Sequence, residues 1–411
     1  MTNRAGSTVI SSRPLWFFSI NIILIVISRI LTVRVLGFST IGYLWVIMLL
    51  YCLMTIIINR RISFPILFYL PFMLYVLIYI TVDFSFVGLQ STLQYLVPVL
   101  AGMAFSGLKI NEQTIQRIFY YNRILIVFIC LYALIYPYTA GFNTIALGLP
   151  DIVMTCSFCG TLLLGEFFVL KKRTAILLFI LIAFVPVFAV TRMGVVANLI
   201  ILPLNFYHEK FRSRILWLTV IIALGYLIFN LQNFQNKMFF SGHGKISDIS
   251  LKNEDLSTSG RRTLTALLER GITEKPIWGN GPRSELELFE RAGLTIKETH
   301  NDYLAVRYSY GWVGLFLLLG AYMFQMISLF ARLRKTSNVY QRVMIQAALT
   351  LFIPFLLFMY TDNILKYTFF FGTLHFIIIS IAYQKVSTTD SPKHGMQKRG
   401  NIPDTHPSGY F

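Results

Sequence analysis

"ETHNDYLAVRYSYGWVGLFLLLGAYMFQMISLF", residues 298–330, is the stretch that decides the fold. It opens on Glu, Thr, His, Asn and Asp, and from Gly311 it is nearly pure hydrocarbon. An apolar run of roughly twenty residues is what a helix needs to cross a hydrocarbon core about 30 Å thick. The polar head then sits where that helix meets water. Runs of the same kind recur along the chain, near 15–35, 38–58, 64–82, 91–108, 122–139, 151–170, 174–190, 194–207, 215–231, 304–331, 343–361 and 366–384. The run at 194–207 is short, and the first contains Arg29.

Composition agrees. Of 411 residues, 56% are hydrophobic and 13% charged, with mean hydropathy +0.65. A soluble domain carries about 25% charged residues, so most of this chain has lipid for solvent. The expected fold is all-α: a polytopic membrane protein of about twelve transmembrane helices, with a large extracytoplasmic loop between spans nine and ten. Residues 1–231 hold spans one to nine, 232–303 the loop, 304–384 spans ten to twelve, and 385–411 a polar, disordered cytoplasmic tail rich in Pro, Gly and Ser.

The basic residues orient it. With the N-terminus cytoplasmic, the cytoplasmic segments hold 21 of the 36 Lys and Arg, including "KKR" at 171–173 and Arg332, Arg334, Lys335 and Arg342. The short loops on the other side hold Arg34, Arg192 and Lys366. Positive loops stay inside, which predicts an even number of spans with both ends in the cytoplasm. The net charge of +18 has the same origin, since basic loops favour an anionic leaflet. Dispersal of those charges over short loops speaks against nucleic acid as a partner. The first run has no A-x-A-like cleavage site behind it and reads as a retained anchor. Cys52, Cys130, Cys156 and Cys159 all fall inside spans, so "CSFC" reads as packing, and no zinc-ligand spacing stands out. The absence of an internal repeat weakens a transporter reading.

Within 232–303, "RRTLTALLERGI" places Leu264, Leu267 and Leu268 on one helical face. Pro276 and "GNGP" (279–282) interrupt the chain. Ser284 followed by Glu287 has the capping-box spacing, so "SELELFERA" is expected to be a second short helix ending at Gly293. Both amphipathic helices are expected to lie against the bundle.

Three polar features fall on one membrane side in this arrangement: Arg192 in "AVTRMGVV", Arg261 and Arg262 after "STSG", and His300 with Asn301 at the start of span ten. On a helix His300, Arg307, Gly311 and Gly314 fall on one face, with the glycines admitting a helix or lipid chain below the polar groups. Each residue also has a plain structural reading: Arg192 as an interfacial anchor, His300 as a helix-end residue, Arg262 as a solvated loop charge. The weight lies in their joint placement.

"SGR" (259–261), "PIWGNGP" (276–282), "HNDYL" (300–304) and "GWVG" (311–314), in this order, resemble the signature of the O-antigen ligase and Wzy-type polysaccharide polymerase superfamily, with a GT-C-like fold. "TRMG" at 191–194 resembles that family's arginine-bearing turn, and "TDN" at 361–363 its late acidic step. Thr265 stands where the family pattern often has an aromatic residue. The resemblance implies glycan transfer from an undecaprenyl-diphosphate carrier to an acceptor hydroxyl in the cytoplasmic membrane, with no cofactor and no metal. It implies Arg192 and Arg261 on the donor diphosphate and His300 as base, supported by Asn301, Asp302, Arg307 and Asp362. The chemistry fits these residue types: the guanidinium fork pairs with phosphate oxygens and stays charged, and imidazole accepts a proton near neutrality. The partners implied are lipid-linked donor and acceptor, with a chain-length regulator and a flippase as candidate protein partners. A ligase acting on lipid A core or protein is the first alternative. A lipid-linked oligosaccharide flippase is the second, disfavoured by the asymmetric loop.

Overall fold

The structure is a computed structural model and describes residues 12–30, 34–35, 38–139, 149–206, 209–250, 253–257, 261–294 and 298–387. Sixteen α-helices make up the described chain: α1 (Arg13–Ile30), α2 (Thr40–Asn59), α3 (Leu70–Val82), α4 (Phe86–Ser106), α5 (Glu112–Thr139), α6 (Leu149–Phe168), α7 (Thr174–Phe188), α8 (Arg192–Asn205), α9 (Phe211–Phe229), α10 (Gln232–Met238), α11 (Arg261–Glu274), α12 (Glu285–Arg291), α13 (Asp302–Lys335), α14 (Val339–Thr350), α15 (Phe352–Thr361) and α16 (Gly372–Tyr383). A two-residue antiparallel ladder, Arg34–Val35 with Phe38–Ser39, joins α1 to α2. In lipid every backbone N–H and C=O must be satisfied within the protein, and helices do that segment by segment.

Each of the twelve apolar runs overlaps a helix, the run at 343–361 being divided between α14 and α15. α4, α5, α9, α13 and the pair α14–α15 are long and apolar enough to cross a membrane, and α1 to α3, α6 to α8 and α16 are apolar helices as well. They are not equivalent. α16 is buried from Gly372 to Ala382 and packs most closely on α4, whereas α9 buries none of its residues and forms an outer helix. Polar side chains stitch the buried helices: Ser157 Oγ donates to Asn198 Oδ1 (3.0 Å), Gln346 Nε2 to Asn205 Oδ1 (3.0 Å) and Thr155 Oγ1 to the Phe370 carbonyl (2.8 Å). Such bonds are worth about 0.6 kcal/mol each in a membrane bundle. Cys156 and Cys159 are buried free thiols of α6, in line with a packing role. The tail beyond Ser387 and Ser259 and Gly260 of "SGR" lie outside the described residues.

The segment between α9 and α13 docks on the bundle. Leu264, Leu268 and Ile272 of α11 join Phe289 of α12 and Tyr308 of α13 in a second apolar cluster. Gly271 makes room: a Cβ there would lie 2.6 Å from the Tyr308 ring. Ser284 does not cap α12 as its spacing with Glu287 predicts. It has helical backbone angles instead of the extended ones of a cap, and its hydroxyl turns back to donate to the Gly281 carbonyl (2.7 Å).

α13 is broken at Gly311 (φ 63°, ψ −167°). The break strands backbone groups that the 276–281 turn takes up. Asn280 N donates to Tyr308 O (2.8 Å) and Gly281 N to Ser309 O (3.0 Å), while Trp312 N donates to Pro276 O (2.9 Å) and Val313 N to Ile277 O (3.2 Å). A Cβ at Gly311 would fall 2.1 Å from the Ile277 carbonyl oxygen, and one at Gly279 (φ +89°) 2.5 Å from Gly311 N. Only glycine fits both the left-handed backbone and this approach. "PIWGNGP" and "GWVG" are therefore two halves of one joint. Tyr75 and Tyr79 of α3 fasten it, donating to the Tyr310 carbonyl (3.0 Å) and the Gly279 carbonyl (2.9 Å). The single face predicted for His300, Arg307, Gly311 and Gly314 is therefore not formed: the helix bends in the middle of that set, and His300 precedes it.

Candidate functional site

His300 sits just outside α13. Asn301 is the N-cap, extended at φ −160°, and its side chain accepts from the Leu304 N–H (3.1 Å). His300 itself takes φ +48°, the left-handed region that costs a non-glycine residue of order 1–3 kcal/mol unless its surroundings impose it. That turn throws the ring toward the end of α15. Nδ1 lies 3.5 Å from Asp362 Oδ1, with the histidine side chain 42% exposed and the aspartate 25%. The carboxylate is steadied by the Asn363 N–H (2.9 Å). Among the described residues Nε2 has no hydrogen-bond partner, and an Nδ1 proton directed at Asp362 would leave its lone pair free.

The segments on either side of this pair are bound to each other. Glu298 accepts from Asn363 Nδ2 (3.0 Å), pairs with Lys366 and lies 3.6 Å from Arg283. Thr299 Oγ1 lies 3.3 Å from Asn363 Oδ1. Arg283 also pairs with Glu285 (3.1 Å), a carboxylate only 1% exposed that accepts from Ser309 Oγ (3.4 Å). Burial pushes the Glu285 carboxyl up, and Arg283 opposes the shift. Burial pulls against the Arg283 charge, but Glu285 and then Glu298 hold it above arginine's ordinary value.

Asp302 is buried, and its carboxylate accepts the Leu365 N–H (2.9 Å), so it braces the 362–366 turn. Arg307 turns aside, its guanidinium stacked over Trp312 at 4.2 Å.

A second group is cationic. The turn before α8 is closed by Val190 at φ 51°, and Arg192 is the first residue of that helix. Arg192 donates to the Ser257 carbonyl (3.0 Å), and Lys237 of α10 to the Val190 carbonyl (2.7 Å). Partial desolvation, followed by the charges of Arg192 and Arg261, holds Lys237 below lysine's ordinary range. Arg261 opens α11 beside them, and Arg262 ties to the Asn253 carbonyl. Among the described residues no carboxylate pairs with Arg192, Lys237 or Arg261. A carbonyl on each of two cations orients it without neutralising it. Three mutually repelling cations gathered in this state make a positively charged patch.

The structure thus brings Arg192 to Arg261 and His300 to Asp362. α11 connects the two groups, because it starts at Arg261 and packs along α13 through Leu264, Leu268 and Tyr308. Among the described residues no hydrogen bond or ion pair joins them directly. Reading the sequence missed Lys237, Arg283, Glu298 and Asn363. Asn363 stands inside the quoted "TDN", and Glu298 opens the stretch that decided the fold; no spacing rule linked either to a partner more than sixty residues away.

No curated protein matches the chain. A family model described as O-antigen ligase matches residues 176–319, which run from α7 into α13, less than half of the chain. The matched region contains Arg192, Lys237, Arg261, Arg283, Glu298 and His300, and leaves Asp362 outside. Members of that family are membrane enzymes of glycosyl transfer in surface glycan assembly. That match supports the resemblance of this region to the O-antigen ligase and Wzy-type polysaccharide polymerase superfamily.

Proposed function

We propose that the protein polymerises undecaprenyl-diphosphate-linked repeat units into a surface polysaccharide, on the outer face of the cytoplasmic membrane and with neither metal nor nucleotide. In this reading all twelve apolar helices cross the membrane, and residues 232–303 lie outside with both sites. The observation that carries it is that α11 links three cations without a counter-charge, at its start, to α13, which is preceded by a histidine beside a carboxylate. The acceptor hydroxyl oxygen attacks the anomeric carbon of the donor, and the bond from that carbon to the diphosphate breaks. The departing electron pair stays on the diphosphate, where Arg192 and Arg261 receive it. The hydroxyl proton passes to His300 Nε2, and Asp362 stabilises the imidazolium.

The O-antigen ligase description of the matched family favours one second reading, transfer of a finished glycan to lipid A core or a protein. The same residues serve both, so the product separates them. In cells with and without the gene, a ladder released from lipid by mild acid supports polymerisation; glycan retained on lipid A core or protein supports ligation. Orientation has its own test. A cysteine at exposed Ser247 should react with an impermeant thiol reagent from outside, and one at exposed Ser337 should not. Labelling at Ser337 alone would invert the topology and remove the site from the outer face.

A further inference from the structure

The left-handed backbone at His300 needs something to impose it, and neither Asp362 nor the helix cap does so. Asp362 touches the ring through one contact at 3.5 Å, and Asn301 caps the helix beyond residue 300. What does bind the backbone on both sides of His300 is a set of bonds from 298–302 to 362–366. Before the histidine, Glu298 holds Asn363 Nδ2 at 3.0 Å and pairs with Lys366, and Thr299 reaches Asn363 Oδ1 at 3.3 Å. After it, Asp302 holds the Leu365 N–H at 2.9 Å. Arg283 anchors Glu298 to the loop from the side, at 3.6 Å, and is fixed by the buried Glu285. Glu298 is thus the one residue of this set that meets the turn after α15 and the loop before α12 together.

We propose that Glu298 is a positioning residue: its carboxylate clamps the His300 turn to the Asp362 turn, and so sets the ring beside Asp362 with Nε2 free. This rests on the reading of His300 as the base. The clamp acts through geometry alone. Both carboxylate oxygens are engaged within the protein, one by Lys366 and the other by Asn363 and Arg283. Without it, residue 300 relaxes toward ordinary backbone angles and the imidazole swings away from Asp362. A displacement on the order of 1 Å at a reacting group can cost about a hundredfold in rate.

The test uses the full-length protein in lipid nanodiscs with lipid-linked donor. Two readouts are followed: the split between kcat and KM, and the rate at which diethylpyrocarbonate modifies His300 in the absence of substrate, followed by peptide mass spectrometry. Glu298→Ala should lower kcat by about ten- to a hundredfold with KM little changed, and His300 should be modified faster. Glu298→Gln, which keeps an acceptor for Asn363, should retain most of the turnover. If Glu298→Ala does not insert, Asn363→Ala removes the same bridge from the other side and should show the same split. Unchanged kcat and unchanged His300 reactivity in the inserted variant would overturn the clamp. If His300→Gln keeps its turnover while Glu298→Ala still speeds modification of His300, the clamp stands and the base assignment fails.

Discussion

The two ends of the bundle treat charge in opposite ways. At the end opposite His300, Glu166 of α6 is fully buried and held between Arg123 (2.7 Å) and Lys172 (3.1 Å), while Lys171 pairs with Glu209 (2.9 Å). Asn338 donates to Glu112 there (2.8 Å), and Arg332 donates to the Tyr383 carbonyl (3.0 Å). These contacts join neighbouring helices and leave the acid Glu166 matched by two cations. At the His300 end, Arg192, Lys237 and Arg261 have no acid among the described residues, and His300 is left with an unoccupied nitrogen. Matched charge fixes a structure, because removing either partner leaves the other stranded. Unmatched charge next to a matched frame is kept for something else. The comparison teaches that number of charges does not mark the site. The frame Arg283–Glu285–Glu298–Lys366 is as well paired as the far end, and the His300 turn stands on it.

The sharpest way to break this contrast is His300→Gln, which keeps a hydrogen-bonding group and removes the base. Turnover of purified protein with lipid-linked donor should fall by about 10²–10⁴-fold, with donor binding retained; near-normal turnover would make His300 a helix-end residue. Next come the unmatched cations. Arg192→Ala and Arg261→Ala should each cost about 10²–10³-fold in kcat while the protein still inserts. The Lys variants should rescue poorly, since a point charge lacks the paired donors. Full activity in both Lys variants would show that net charge alone matters.

The matched frame should fail in stability. Arg283→Met strands the Glu285 carboxylate, and a buried charge stripped of its partner costs about 3–5 kcal/mol, to be read as a lowered melting temperature in detergent. Burial already raises the Glu285 carboxyl, so in the folded variant it takes up a proton at a higher pH than in the unfolded chain. The folded state then binds more protons, and stability rises as pH falls. The melting deficit should therefore be smaller at about pH 5 than at about pH 8. The smallest effect on turnover is expected at the far end. Glu166→Gln should cost about 1–3 kcal/mol of stability through its lost charged hydrogen bonds, and leave kcat of the inserted protein near that of the parent. A large loss of kcat there would erase the distinction between the two ends.

The sequence by itself determined the helices and supplied candidates for the site. Apolar runs become helices in lipid because no other element of comparable length satisfies its own backbone, so each run from 15–35 to 366–384 overlaps one. Leu264 and Leu268 were legible on α11 because helical period and burial act within a dozen residues. The residue types proposed for the site, arginine for diphosphate and histidine for a proton, could be named for the same reason: their chemistry is their own. What only the tertiary structure decided is which groups meet. The break at Gly311 exists because a turn some thirty residues earlier replaces its lost hydrogen bonds, and a helical wheel drawn through 300–314 assumes those bonds are intact. Asp302 faces Leu365 and Arg307 faces Trp312 because burial and stacking turned them there. Lys237 joins Arg192 through a carbonyl that any residue at 190 would present, and Glu298 reaches Asn363 and Lys366 across the bundle. Contacts between distant segments depend on how whole helices pack, and packing energy is a property of the assembled bundle that no local pattern of residues carries.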